Sequence, residues 1–174
     1  MPGLMSKQDD LYQQVAIEYA GALERLARSY EADSEARRDL LQDIHVALWR
    51  SFCHFNGLCS LRTWVYRVAH NTAVVHVVRE RRRSRQVTVG LEEIEQMPGS
   101  VTDATQDRKQ RLNQLLAMVR TLKPIDRQVI LAYLEDMDAA EIGEITGLSP
   151  GNVATKVHRI KNILSRKFQA GEQP

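Results

Sequence analysis

From Asn152 to Phe168 the chain carries five lysines and arginines and no carboxylate, whereas Glu135 to Glu144 carries five carboxylates and no base. At about 100° per residue, Asn152, Thr155, Arg159, Asn162 and Arg166 share one face of a helix, flanked by Lys156 and His158. Val153, Val157, Ile160 and Leu164 share the opposite face. Amides, a hydroxyl and guanidinium groups on the first turns of a helix are the side chains that meet base edges and phosphates in a DNA major groove. The chemistry indicated is binding of a polyanion rather than breaking of a bond. No Gly-Lys-Ser/Thr phosphate loop, Gly-x-Ser-x-Gly elbow, His-Glu-x-x-His pair or Gly-x-Gly-x-x-Gly run occurs. The five histidines are spread over three predicted helices. Cys53 and Cys59, even with His54, supply too few ligands for a zinc site and are expected as two unpaired, partly buried thiols. Neither catalysis nor a cofactor is expected.

The basic helix needs a partner to aim it. Asp138 and Glu141 stand at N-cap and N3 spacing, so each can satisfy the other's backbone amide and start a helix whose apolar stripe is Ile142 and Ile145. Gly147 ends that helix. Ser149 can cap the next one with Pro150 at its first position, where a missing N–H costs nothing. Two helices joined by a short Gly-containing turn have the sequence form of a helix-turn-helix.

Upstream, apolar residues recur at three and four. Tyr12, Val15, Tyr19, Leu23, Leu26 and Tyr30 predict one helix. A second, about Glu35 to His54 and capped by Asp33 or Ser34, is expected to bury Leu41, Ile44, Leu48, Phe52 and Phe55. Asp39, Gln42, Asp43 and Arg50 lie toward its other side. Ser60 can cap a third, with Leu61, Trp64, Val65, Val68, Thr72 and Val75 inward and Thr63, Arg67, His70 and Arg81 outward. Thr72 to Val78 is rich in β-branched residues, but the three-four pattern runs through it and keeps it helical. Arg79 to Arg85 then brings five arginines and one glutamate, a tail able to grip phosphates. Gln86 to Gln110 breaks the period around Pro98-Gly99-Ser100 and is expected to be a linker. Four short helices are expected beyond it, beginning with Leu112, Leu115, Leu116, Val119 and Leu122.

The expected architecture is therefore all-α, with a domain over residues 1–85, a linker over 86–110 and a helix-turn-helix domain over 111–174. A composition of 43% apolar and 26% charged residues is ordinary for a soluble protein. A net charge of +2 is too small to imply nucleic acid by itself, so the local distribution carries that inference. No apolar run is long enough to span a membrane and no leader is evident, which predicts a cytoplasmic protein.

Three segments in order, Asp39 to Arg50 (DLLQDIHVALWR), Ser60 to Ala73 (SLRTWVYRVAHNTA) and Leu122 to Lys161, resemble the extracytoplasmic-function (ECF) sigma factors of bacterial RNA polymerase. The resemblance covers about 90% of the chain. It implies a region 2 domain before the linker and a region 4 domain after it. It places Asp39, Leu40, Gln42 and Asp43 against the clamp helices of the largest polymerase subunit. It assigns Asn56 to Ser60, Arg62, Arg67, His70 and Asn71 to the melted minus-ten element, and Arg79, Arg81 and Arg82 of the basic tail, read from their charge, are expected to bind DNA beside them. Asn152, Thr155, Lys156, His158 and Arg159 match the face that meets the minus-thirty-five element. Core polymerase, including its flap region, and promoter DNA are the implied partners, and an anti-sigma factor fits the same pattern. Separated strands offer unstacked bases and a free backbone, which suits the arginines. Arg37-Arg38, where the family is usually acidic, Ala154, often basic, and Val75, often polar, depart from it. A free-standing helix-turn-helix regulator, footprinting DNA without polymerase, is the rival from another class.

Overall fold

The computed structural model describes residues 7–87 and 104–171, and all regular structure among them is helical. In chain order the helices are α1 (Lys7–Glu18), α2 (Ala20–Tyr30), α3 (Ser34–Ser51, continued by a 3-10 turn over Phe52–His54) and α4 (Leu61–Val87). After residues 88–103 come α5 (Ala104–Arg120), α6 (Pro124–Leu134), α7 (Ala139–Thr146) and α8 (Pro150–Gly171).

The helix starts follow from their side chains. Asp33 caps α3 by accepting from the amides of Ala36 at 2.8 Å and Glu35 at 3.0 Å. Those bonds, Ala36 first, hold its carboxyl below the usual range. Ser60 caps α4, accepting from the Thr63 amide at 3.0 Å and donating to the Thr63 hydroxyl at 2.9 Å. The β-branched run from Thr72 to Val78 is helical, as its period requires. α7 opens on the Asp138–Glu141 capping box and closes at Gly147, which adopts φ +75°. That left-handed conformation is open to glycine without steric cost. Gly143 has a different reason to be glycine: a Cβ there would lie 2.6 Å from the Leu148 carbonyl oxygen, so the turn packs directly on α7.

Several boundaries differ from expectation. The predicted single helix from Tyr12 to Tyr30 bends at Tyr19 (φ −104°, ψ 7°) into α1 and α2. α1 packs on α3, whereas α2 also reaches α4 and α5, and one straight helix could not serve both directions. α4 and α5 extend to Val87 and from Ala104, inside the stretch predicted as linker. Arg108, Lys109 and Gln110 are all exposed, so no apolar period announces the start of α5. α8 is one long helix rather than a short one.

The buried apolar residues form one cluster from Val15 to Leu164, spanning both halves of the chain. α4 lies at its centre, against α2 and α3 on one side and α6 and α7 on the other. A helix covered on two sides needs two buried stripes, and this corrects the sequence-based faces. Thr63 and His70, predicted outward, are buried, while Val75, predicted inward, is 65% exposed. In α3, Leu40 is fully buried and Leu41 only partly so.

The junction between the halves is centred on a buried cation. The Arg127 guanidinium sits 4.7 Å from the centroid of the Tyr30 ring, and its Nη2 donates to the carbonyls of Arg120 and Leu122 at the end of α5. The Tyr30 hydroxyl and His70 Nδ1 are hydrogen-bonded at 3.1 Å. Full burial, and secondarily the charge of Arg127, lower the His70 pKa from 6.5 to about 3. Folded His70 therefore refuses a proton that the unfolded chain accepts. Its stabilising effect is fully present above pH 6.5 and is lost as pH falls toward 3. His70→Gln, which can still bond Tyr30, should flatten the acid limb of stability against pH by up to about 1.4 kcal/mol per pH unit. Chemical denaturation of both proteins between pH 4 and 7, working conditions of about that span, measures this, and identical limbs would count against it.

Candidate nucleic-acid interface

α8 presents the face expected of it. Val153, Ile160 and Leu164 are buried, whereas Asn152, Thr155, His158, Arg159, Asn162 and Arg166 are exposed. The helix is seated by Ser149, whose hydroxyl accepts from the Asn152 amide at 3.3 Å. Lys156 is half-buried. Its Nζ lies 2.6 Å from Asp126 Oδ1 of α6, and Arg159 Nη2 lies 2.8 Å from Asp126 Oδ2. One nearly buried carboxylate thus braces two of the five predicted contact residues from behind. Thr155 bonds back to the Gly151 carbonyl at 3.0 Å, and His158 pairs with the Asn162 amide at 3.2 Å.

The N-terminal face is arranged differently. Arg62 Nη2 donates to the Glu135 carbonyl, and Arg67 Nη2 donates to the Glu144 carbonyl at 2.6 Å, so both guanidinium groups bond the C-terminal half. His70 is enclosed in the junction and is corrected from contact residue to interior residue. Asn71 and Arg82 are exposed, and the Arg81 side chain lies outside the described residues. Arg79 donates to Asp43 at 2.8 Å, and buried His76 places Nδ1 3.5 Å from the same carboxylate. The loop from Asn56 to Ser60 stands out from the surface, with Leu58 89% exposed.

Asp39 and Gln42 are exposed on α3 and Asp43 is partly so. Leu40, placed by resemblance among the contact residues, points into the core and can only support that face. Cys53 is exposed rather than partly buried, with Sγ 2.9 Å from His54 Nδ1, and Cys59 is half-buried. Trp64 packs edge-on against Phe55 at 5.4 Å and donates to the Ser51 hydroxyl, consistent with its place in the apolar stripe.

Sequence reasoning did not find Asp126, Arg25 or Glu135. Asp126 sits in the first turn of α6, where a carboxylate is already explained by the helix dipole. Arg25 and Glu135 pair across 110 positions, through two hydrogen bonds of 2.6 and 2.7 Å. That bond raises the Arg25 pKa further. No local spacing signals such a pair.

Two family models match the chain: sigma-70 region 2 over residues 15–83 and sigma-70 region 4 over residues 112–164. The chain belongs to the sigma-70 family, in its ECF branch. It is 29% identical to RNA polymerase sigma factor YlaC of Bacillus subtilis, covering 92% of this chain and 91% of YlaC. It is 24% identical to the ECF RNA polymerase sigma-E factor of Escherichia coli over 75% of this chain and 73% of that protein. The fold is shared with CnrH, solved in complex with the cytosolic domain of CnrY, at TM-score 0.65 and 22% identity, covering 91% and 88% of the two chains. It is shared too with the sigma factor RpoE of Bartonella quintana, solved with the anti-sigma factor NepR, at TM-score 0.67 and 20% identity, covering 91% and 96%. The chain is a transcription initiation factor of the sigma type, and the free-standing regulator is not favoured. Among the described residues no helix is long and apolar enough to cross a membrane.

Asp126 offers a direct check on the recognition helix. Asp126→Asn keeps the side chain's shape and leaves Lys156 and Arg159 without a counter-charge. Arg159 is 57% exposed, so solvent screens its share of the loss. A destabilisation of about 1 to 2 kcal/mol is expected, read by thermal or urea unfolding; a loss below about 0.3 kcal/mol would show that the bracing is idle.

Proposed function

We propose that region 4 reads the minus-thirty-five element through the outward face of α8, and that region 2 engages core polymerase through α3 and the minus-ten strand through α4 and the loop before it. The observation that carries this is the split of α8: a buried apolar stripe on one side and Asn152, Thr155, His158 and Arg159 exposed on the other. A helix of this kind without a carboxylate from Asn152 to Phe168 is suited to a major groove. The contact set assigned here is Asn152, Thr155, Lys156, His158 and Arg159 for region 4. For region 2 it is Arg62, Arg67, Asn71, Arg79, Arg81 and Arg82. Asp39, Gln42 and Asp43 form the polymerase face, with Leu40 behind them. Residues 1–85 and 111–174 are the proposed functional units, joined through 86–110.

The protein contributes no catalysis in this scheme; polymerase supplies it, and the chain works in the cytoplasm beside it. An anti-sigma partner is proposed from likeness to RpoE, which was solved with NepR.

Run-off transcription with purified core enzyme on a randomised promoter library tests the whole scheme. Arg159→Ala should cost about 1 to 3 kcal/mol at one base pair if it is bidentate to guanine, or lower the salt slope by about one if it meets a phosphate. Unchanged promoter preference together with unchanged salt dependence would mean that the face is misassigned. The polymerase contact is checked separately. Asp39→Ala combined with Gln42→Ala should alter folding stability by less than about 0.5 kcal/mol, since both side chains are exposed, yet weaken capture of core enzyme. Capture equal to that of the unmodified protein would rule α3 out as the contact.

A further inference from the structure

Beside the Tyr30 ring, Glu31 and Glu80 of region 2 and Arg120 and Arg127 of region 4 line one cavity of about 360 Å³. This is the small end of the range for sites that hold organic ligands, which begin near about 300 Å³. Arg120 donates to the Arg28 carbonyl at 2.6 Å, Glu31 accepts from the Asp33 amide at 3.1 Å, and Glu80 accepts from Arg83 at 3.1 Å. Arg120 and Glu31 feel each other's charge, yet among the described residues no ion pair joins them. Burial lowers the Arg120 pKa, Glu31 works against that, and Arg37 adds to it. A half-buried guanidinium thus faces the cavity with its charge incompletely answered.

Opposite charges that line one space without closing on each other suit a ligand that carries both signs on a short frame. A lone anion would crowd the two carboxylates, and a lone cation the two guanidinium groups. A ligand of zero net charge leaves the balance of the cavity unchanged and avoids the cost of bringing an unpaired charge out of water. We propose that this cavity binds a free α-amino acid, its carboxylate on Arg120 and its ammonium between Glu31 and Glu80. A guanidinium is matched to a carboxylate by its fork of donors. Ala36 and Val77 supply an apolar wall, which fits a small aliphatic side chain. Both regions contribute to the lining, so the ligand stabilises the chain in the packed arrangement alone. The site is independent of which DNA element each region reads.

The test uses the full chain. Thermal unfolding is followed with each of the standard amino acids at about 10 mM, where a ligand of lower Kd raises the melting temperature. The best binder is then titrated by calorimetry beside its N-acetyl derivative, which keeps only the carboxylate, and its primary amide, which keeps only the ammonium. A small aliphatic amino acid should stabilise the chain, and each derivative should bind about ten-fold weaker or worse, the share of one charge-assisted contact. Arg120→Gln and Glu31→Gln should each weaken the intact amino acid by a similar factor. If Arg120→Gln melts lower without ligand, Glu31→Gln and the two derivatives decide the matter. Absence of stabilisation by any amino acid overturns the site. An N-acetyl derivative that binds as tightly as its parent overturns the zwitterion in favour of a simple anion. Affinity unchanged in Glu31→Gln places the ligand elsewhere and overturns the assignment.

Discussion

The arrangement depends on burying one guanidinium. Arg127 is 4% exposed, and a charge so enclosed needs oxygen acceptors and a polarisable neighbour. It finds both by lying between the end of α5, whose carbonyls accept from it, and the face of Tyr30 in α2. The acceptors belong to region 4 and the ring to region 2, so this packing requires the two regions together. Full burial, with that charge adding to it, keeps His70 neutral, which leaves the Tyr30–His70 bond as an uncharged strut in the middle of the junction. Around this centre the contacts turn polar: Arg120 donates to the Arg28 carbonyl at 2.6 Å, and Arg25 pairs with Glu135.

Each region repeats one electrostatic device. In region 2, Asp43 takes Arg79 and lies beside His76; in region 4, Asp126 takes Lys156 and Arg159. A carboxylate behind a cluster of bases lowers their mutual repulsion and orders long side chains that would otherwise lose rotamer freedom on binding. It also reduces the charge offered to a phosphate. This fits a net charge of only +2.

What the sequence made legible, and what it did not, divides along one physical line. The capping box of Asp138 and Glu141, the Gly147 stop, the Ser149–Pro150 restart and both faces of α8 are set by residues within one or two turns of each other, and all stand as expected. The helical state of Thr72–Val78 was legible for the same reason. The misplaced residues, Thr63, His70, Leu40 and Val75, lie in α3 or α4. A single-stripe reading assumes one buried side, and α4 has two because α7 covers what would otherwise face solvent. The start of α5 was missed because its exposed turns carry no period, and the Arg25–Glu135 and Asp126 pairs because they join distant segments.

The exchange of partners open to Arg62 and Arg67 is close to balanced. Trading a carbonyl for a phosphate oxygen replaces one charge-assisted hydrogen bond with another, so the net change is far smaller than either bond. Arg127 is placed otherwise, since separating the regions would uncover its guanidinium, the Tyr30 ring and His70 together. The junction therefore has a polar part, whose bonds another polyanion can replace, and a buried part that it cannot reach. A surface that engages region 2 and region 4 at once can supply the second part by binding each region in a separated position. A short DNA strand can repay only the first.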